Sequence, residues 1–248
     1  MPMFATAFLV CSSLVVFLDA ASLPPYIKKC KNDKTLNECI LKNSKEAIKG
    51  LVKGDAKLGI PVLEPLKVDK IEHTTSASRS VSLNFTLSEI NVYGIPKSEL
   101  VKSELDTSKH IIKFNFKIPQ LKLKCNYNLN GKFLVVPVVG NGKLTLTIDN
   151  VFATFSTNYN LVKKKGAEYI DLVLPAKLTY TTTKVSPVFE NLFNGDKNLG
   201  DNFNQVVNEN WREWDSQVGP GIADALGQVI GSILKRATSA VPYNDVFV

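Results

Sequence analysis

Histidine is almost missing from the 248 residues, with only His73 and His110, and cysteine occurs four times. So few imidazoles and thiols leave a zinc centre almost without ligands. Two histidines far apart in sequence make no nucleophilic triad by themselves. His73 sits among Thr74, Thr75 and Ser76 and His110 follows Lys109, so both read as surface residues, one in a polar turn and one at a strand start. No Gly-x-Ser-x-Gly elbow occurs, and Gly140-Asn141-Gly142 reads as a turn rather than a phosphate-binding loop. The expectation is therefore no catalytic residue, no metal, no cofactor and no enzyme.

Long runs of one charge are also scarce. Lys163-Lys164-Lys165 is the longest basic run and reads as a turn between strands. Thirty Lys and Arg against 23 Asp and Glu give a formal charge of +7, but the lysines stand in ones and twos among acids. That pattern is a solvated surface and excludes a nucleic-acid arm. A weak attraction to anionic membranes stays open as a minor reading.

Past the N-terminus no apolar stretch approaches the roughly 20 residues that cross a bilayer. Phe4 to Leu18 is apolar but shorter, and Ala20-Ala21-Ser22 and Leu23-Pro24-Pro25 follow it. This is the pattern of a secretory signal peptide over residues 1–21, although its first residues carry no Lys or Arg. Residues 22–248 then form one secreted, extracellular domain, whose charge rises to +8 once Asp19 is lost (30 basic residues against 22 acidic). Cys11 leaves with the leader. Cys30 and Cys39, eight residues between them, are close enough to close a small loop in an oxidising compartment. Such a loop contributes about 2–3 kcal/mol. Cys125 shares its parity with Leu121, Leu123, Tyr127 and Leu129 and reads as a buried free thiol.

With 44% hydrophobic residues the chain can bury a substantial core. Thr35-Leu36-Asn37-Glu38 fits a capping box, opening a short helix that runs on to Gly54. Gly59-Ile60-Pro61 and Glu64-Pro65 mark an extended crossing. Val81, Leu83, Phe85 and Leu87 alternate with polar residues, and the phase then slips to Ile90 and Val92, as at a β-bulge. Ile112 to Ile118 and Leu121 to Leu129 alternate likewise, Gly131 separates them from Phe133–Val139, and Asn141-Gly142 signals a hairpin into Leu144, Leu146 and Ile148. Further strands are expected near 151–159, 169–174 and 177–182. The tail changes period: Phe203, Val206, Val207, Trp211, Trp214, Val218, Ile222 and Leu226 recur every three or four residues. The phase survives Gly219-Pro220-Gly221, which predicts one helix over about 202–240, bent at Pro220. At roughly 55–60 Å it is too long for a compact globular helix and needs something wrapped along it, for which a strongly curved antiparallel sheet is the natural candidate.

Three stretches, in order along the chain, resemble the takeout and juvenile-hormone-binding-protein family of insects, part of the tubular lipid-binding superfamily. They are Leu23-Pro24-Pro25-Tyr26-Ile27-Lys28-Lys29-Cys30 with Cys39 and 57–66; Tyr127 to Gly142; and Phe203, Asn210-Trp211, Pro220, Ala225-Leu226-Gly227 with 241–247. The resemblance implies an α+β fold with a long C-terminal helix wrapped by a curved antiparallel sheet, a short N-terminal helix and an internal hydrophobic tunnel. It also implies a Cys30–Cys39 disulfide. The hormone-binding branch carries a second disulfide, for which Cys125 has no mature partner, so the takeout-like branch is the nearer one. Members of that branch are connected with feeding, circadian and mating behaviour.

The function expected is a monomeric secreted carrier of a terpenoid, juvenile-hormone-like or fatty acyl ligand. Phe114, Phe116, Leu144 and Leu146 on the sheet, facing Trp211, Trp214, Val218 and Ile222 on the helix, are the candidate lining. Tyr127 or Tyr180 can supply a hydroxyl to orient a polar head. The alternatives are a surface-active membrane or lipid-binding defence protein, or a receptor-acting signal without cargo. Asn84-Phe85-Thr86 is a glycosylation sequon, with Asn84 on the polar face of its strand.

Overall fold

The computed structural model describes residues 22–75, 81–164 and 166–248. The leader expected over 1–21, Cys11 included, lies outside the described residues. Helix α1 (Leu36–Leu51) opens the fold. Thr35 stands at its N-cap, but its hydroxyl donates to Asp33 Oδ1 at 2.6 Å instead of capping the helix, so the capping box does not form. Cys30 and Cys39 are bonded, with Cα atoms 5.9 Å apart, which ties the entering segment to the first turn of α1.

Among the described residues eight antiparallel strands form one sheet around a β4–β5 spine. Strand β4 (Ile111–Phe133) has 23 residues and β5 (Val136–Lys164) has 29. At about 3.3 Å per residue β5 alone runs roughly 95 Å, far more than a flat sheet in a chain of this size accommodates. β1 (Leu66–Thr74) pairs with β2 (Val81–Tyr93), and β2 with the second half of β4. β3 (Glu99–Asp106) covers its first half. Pro119 falls between those two partners, where the missing N–H is not demanded by β2 or β3, and Asn150 opposite it on β5 has φ 51°. The other edge of β5 takes β8 (Lys184–Phe189), β7 (Lys177–Thr181) and β6 (Ala167–Leu172) in succession.

The bulge expected after Leu87 is present. Register shifts between Ser88 and Asn91, and Glu89 takes φ 52°. The hairpin expected at Asn141-Gly142 is not. β5 runs straight through both residues, and the chain reverses at Leu134-Val135, with Phe133 paired to Val136 and Leu134 at φ 54°. The glycines serve close approach: a Cβ at Gly140 would meet the Tyr127 hydroxyl and Leu192, and one at Gly142 would strike the Glu190 carbonyl. Strands β1, β3 and β8 have no counterpart in the expected elements, and the segments expected at 112–118 and 121–129 are one strand.

The tail is also divided differently. α2 (Lys197–Glu209) ends at Asn210, whose φ −106° and ψ 33° leave the helical region, and α3 (Trp211–Ala240) restarts beside it. Pro220 lies inside α3 on its exposed side, so the carbonyl deprived of a partner, that of exposed Ser216, faces water. A small-residue row, Gly219, Ala223, Gly227 and Gly231, is buried where α3 meets β7. A Cβ on Gly227 would sit 3.0 Å from the Ala176 carbonyl oxygen and 3.0 Å from Leu178 Cβ. The short α4 (Tyr243–Val246) follows, and the Val248 N–H donates to the Cys30 carbonyl at 3.1 Å.

Candidate functional site

The site lies where α3 crosses the concave face of the sheet. Trp214, Val218 and Ile222 stand one turn apart along the helix, all nearly inaccessible to water. Trp214 is held by edge-on rings, Phe189 at 5.4 Å and Phe133 at 5.6 Å between centroids. Two apolar cavities adjoin this row and share it, with Leu146, as a common wall. Phe85, Leu87, Tyr127, Leu129, Leu144 and Phe189 complete the first; Leu123, Ile148, Ala153, Leu178 and Val185 contribute to the second. Measured as the space open to the centre of a water-sized sphere, they enclose ≈ 10 Å³ and ≈ 50 Å³. The first is about one such sphere. Each is smaller than a terpenoid or acyl chain.

Tyr127 reaches the first cavity with its ring only. Its hydroxyl donates to the Glu190 carbonyl at 2.7 Å, and burial, with the Glu190 charge, pushes its pKa up to about 12. The second cavity has a different corner. There the Tyr180 hydroxyl donates to Asp215 Oδ1, both beside Gly219, where a side chain on the helix would collide with them. Burial raises the Tyr180 pKa strongly, with the Asp215 hydrogen bond adding to it, so the phenol keeps its proton. Burial raises the Asp215 carboxyl, against the opposing pull of the Tyr180 hydrogen bond.

Of the residues expected at the site, the fold brings together Tyr127, Leu144, Leu146, Tyr180, Trp214, Val218 and Ile222. It does not bring Phe114, Phe116 or Trp211 to either cavity. Phe114 packs on a separate cluster of Ile112, Tyr159, Ile170 and Leu172, and Phe116 meets it edge-on at 6.4 Å. Trp211 lies under the Arg212 guanidinium at 4.6 Å and the Lys184 ammonium at 5.8 Å. His73 is half-buried in β1, tilted on Phe85 and pressed against Gly221 of α3, not in a polar surface turn. His110, also half-buried, stacks on Tyr159 at 4.7 Å. Cys125 is buried and free, and Asn84 is exposed. Sequence reasoning missed Asp215. The available signal was its place four residues before Gly219, at the head of a row of small residues spaced by four that marks a buried helix face.

Among the described residues no group of three or more His, Cys, Asp and Glu is placed to hold a metal. No helix in them is long and apolar enough to cross a membrane.

Residues 5–248 match the family model "Haemolymph juvenile hormone binding protein (JHBP)". Two curated relatives, the circadian clock-controlled protein daywake of Drosophila melanogaster and of Drosophila yakuba, are each 26% identical. The first alignment covers 98% of this chain and 97% of the relative, the second 93% and 90%. The crystal structure of Epiphyas postvittana Takeout 1 superposes with a TM-score of 0.80 at 23% identity, over 89% of this chain and 99% of that one. At that identity the likeness bears on the fold, and it agrees with the helix and sheet described above.

Proposed function

We propose, from the premise that this chain belongs to the haemolymph juvenile hormone binding protein family, that it is a secreted carrier holding a small hydrophobic molecule between α3 and the curved sheet. The observation that carries this reading is the pair of adjoining cavities, walled almost wholly by aliphatic and aromatic side chains along Trp214, Val218 and Ile222. Concave apolar space with few polar groups is what a small-molecule site offers. Burying a ligand of about 300 Å² would contribute roughly 7 kcal/mol at ~25 cal/mol per Å² before association costs. The cavities as packed are too small for such a molecule, so loading requires side chains of their shared wall to move.

The remaining parts of the reading follow the same line. A leader over 1–21 is removed and 22–248 acts as one lipid-binding domain, as a monomer and without catalysis. The Cys30–Cys39 bond supports an oxidising compartment. A terpenoid or fatty acyl cargo and a clock-linked role, the latter suggested by the name of the daywake relatives, are the finer proposals.

Native mass spectrometry with organic extraction, on protein from its own secretory source, tests the carrier reading. A stoichiometric apolar ligand of defined mass is expected. A protein that is empty, and that takes up neither fatty acids nor terpenoids, would overturn it and turn attention to membrane surfaces or a receptor.

A further inference from the structure

The second cavity is not uniformly apolar, and its one charged corner has a chemical sense. Asp215 and Tyr180 meet there among Leu178, Val185, Ala223 and Leu226. No Lys, Arg or His stands among the residues that line the cavity. The hydroxyl proton of Tyr180 is already given to Asp215 Oδ1. What the pair has left is the second carboxylate oxygen and the lone pairs of the phenol, all of them acceptors.

We infer that Asp215 selects the cargo by its polar end, admitting a neutral molecule whose head donates a hydrogen bond, such as a long-chain or terpenoid alcohol, over the carboxylate of the same chain. This rests on the carrier reading. A cargo hydroxyl entering this corner finds an acceptor for its proton. An ester or ketone finds no donor and brings no proton to the second oxygen of Asp215, a mismatch of the kind by which polar sites discriminate. A carboxylate fares worse, because it brings a second negative charge to a low-dielectric corner with no cation to balance it. Burial raises the Asp215 pKa, which agrees with a corner that disfavours a further negative charge. The hydrogen bond from Tyr180 opposes that rise, and its direction makes Oδ1 an acceptor.

The test offers the full, delipidated chain 1-hexadecanol, hexadecanoate and hexadecane at pH 8, where the fatty acid is ionised, and reads occupancy by native mass spectrometry. The alcohol is expected to bind about 10- to 100-fold more tightly than the acid, the size set by one hydrogen bond to a charged group. In Asp215→Asn the preference is expected to fall to within about threefold of unity, with hexadecane retained as the sign that the interior is intact. Asp215→Leu, which removes both acceptors, takes its place if the Asn variant loses hexadecane. Equal binding of alcohol and acid by the native chain, or an undiminished preference in the variant, would overturn the inference. Failure of all three lipids to bind the native chain would instead overturn the carrier reading, and this inference with it.

Discussion

Cys125 shows what one residue's neighbours do to its chemistry. It points inward on β4 between Leu123 and Tyr127, and burial pushes its thiol from 9.0 up to about 12. The thiolate is the reactive form, so the native protein at pH 8 is expected to leave a thiol reagent such as DTNB unreacted. One equivalent should react after unfolding in guanidinium; rapid labelling of the native chain would refute this. The sign for stability follows. The unfolded thiol ionises near 9.0 while the folded one keeps its proton, so this contribution is present below pH 9 and lost as pH rises toward 12. Cys125 was legible from strand parity alone, because a period of two reports which face is buried. For Asp215 the spacing by four shows the buried helix face but not the partner, Tyr180, that a carboxylate needs there, since the two are far apart in sequence.

Elements were legible where a period repeats and misread where a single residue was given one meaning. The slip after Leu87 could only be a bulge, since parity cannot otherwise change within a strand. Asn141-Gly142 predicts a turn because glycine usually bends a chain; here the small size of Gly142 admits the Glu190 carbonyl against the strand, as that of Gly140 admits Leu192. The sequence predicts one helix over about 202–240, but the chain breaks at Asn210, ahead of the crossing over the sheet, and α3 runs on through Pro220. The joint leaves α2 free to dock on β8 through asparagine. Asn204 Oδ1 accepts from the Phe189 N–H and its Nδ2 donates to the Phe189 carbonyl, both at 2.9 Å, while Asn208 donates to the Pro187 carbonyl at 2.7 Å. The side chain of Asn204 thus stands where a further strand would pair. Asn204→Ala should cost about 2 kcal/mol, since two backbone groups of buried Phe189 lose their partner. Urea denaturation reads this; a change under about 0.5 kcal/mol would mean that α2 is held by its apolar face alone.

At the scale of the whole molecule, Trp214 is the largest side chain in the wall that the two cavities share. Trp214→Ala is expected to cost about 3–5 kcal/mol, as loss of a buried tryptophan does. It should also open a dry cavity large enough for a small apolar guest. Benzene should then raise the melting temperature of the variant and leave that of the native protein unchanged. If neither responds, the surroundings have collapsed into the space and the interior is less rigid than drawn. The general plan, a long helix against a curved sheet, was readable because a helix of that length needs a cover. The size of the cavities was not, since it depends on how far Phe133, Phe189 and Trp214 interlock, which no periodicity encodes.

The position of α3 at the far end of the sequence also has a meaning in time. Among the described residues all eight strands precede it in sequence, so the strands of the apolar face are synthesised before the helix that covers it. A chain halted before Trp211 presents that face bare, with the hazards of exposed apolar surface. If the strands pair first, anything resting on the sheet when Trp211 to Ala240 folds has to be displaced or enclosed by that helix.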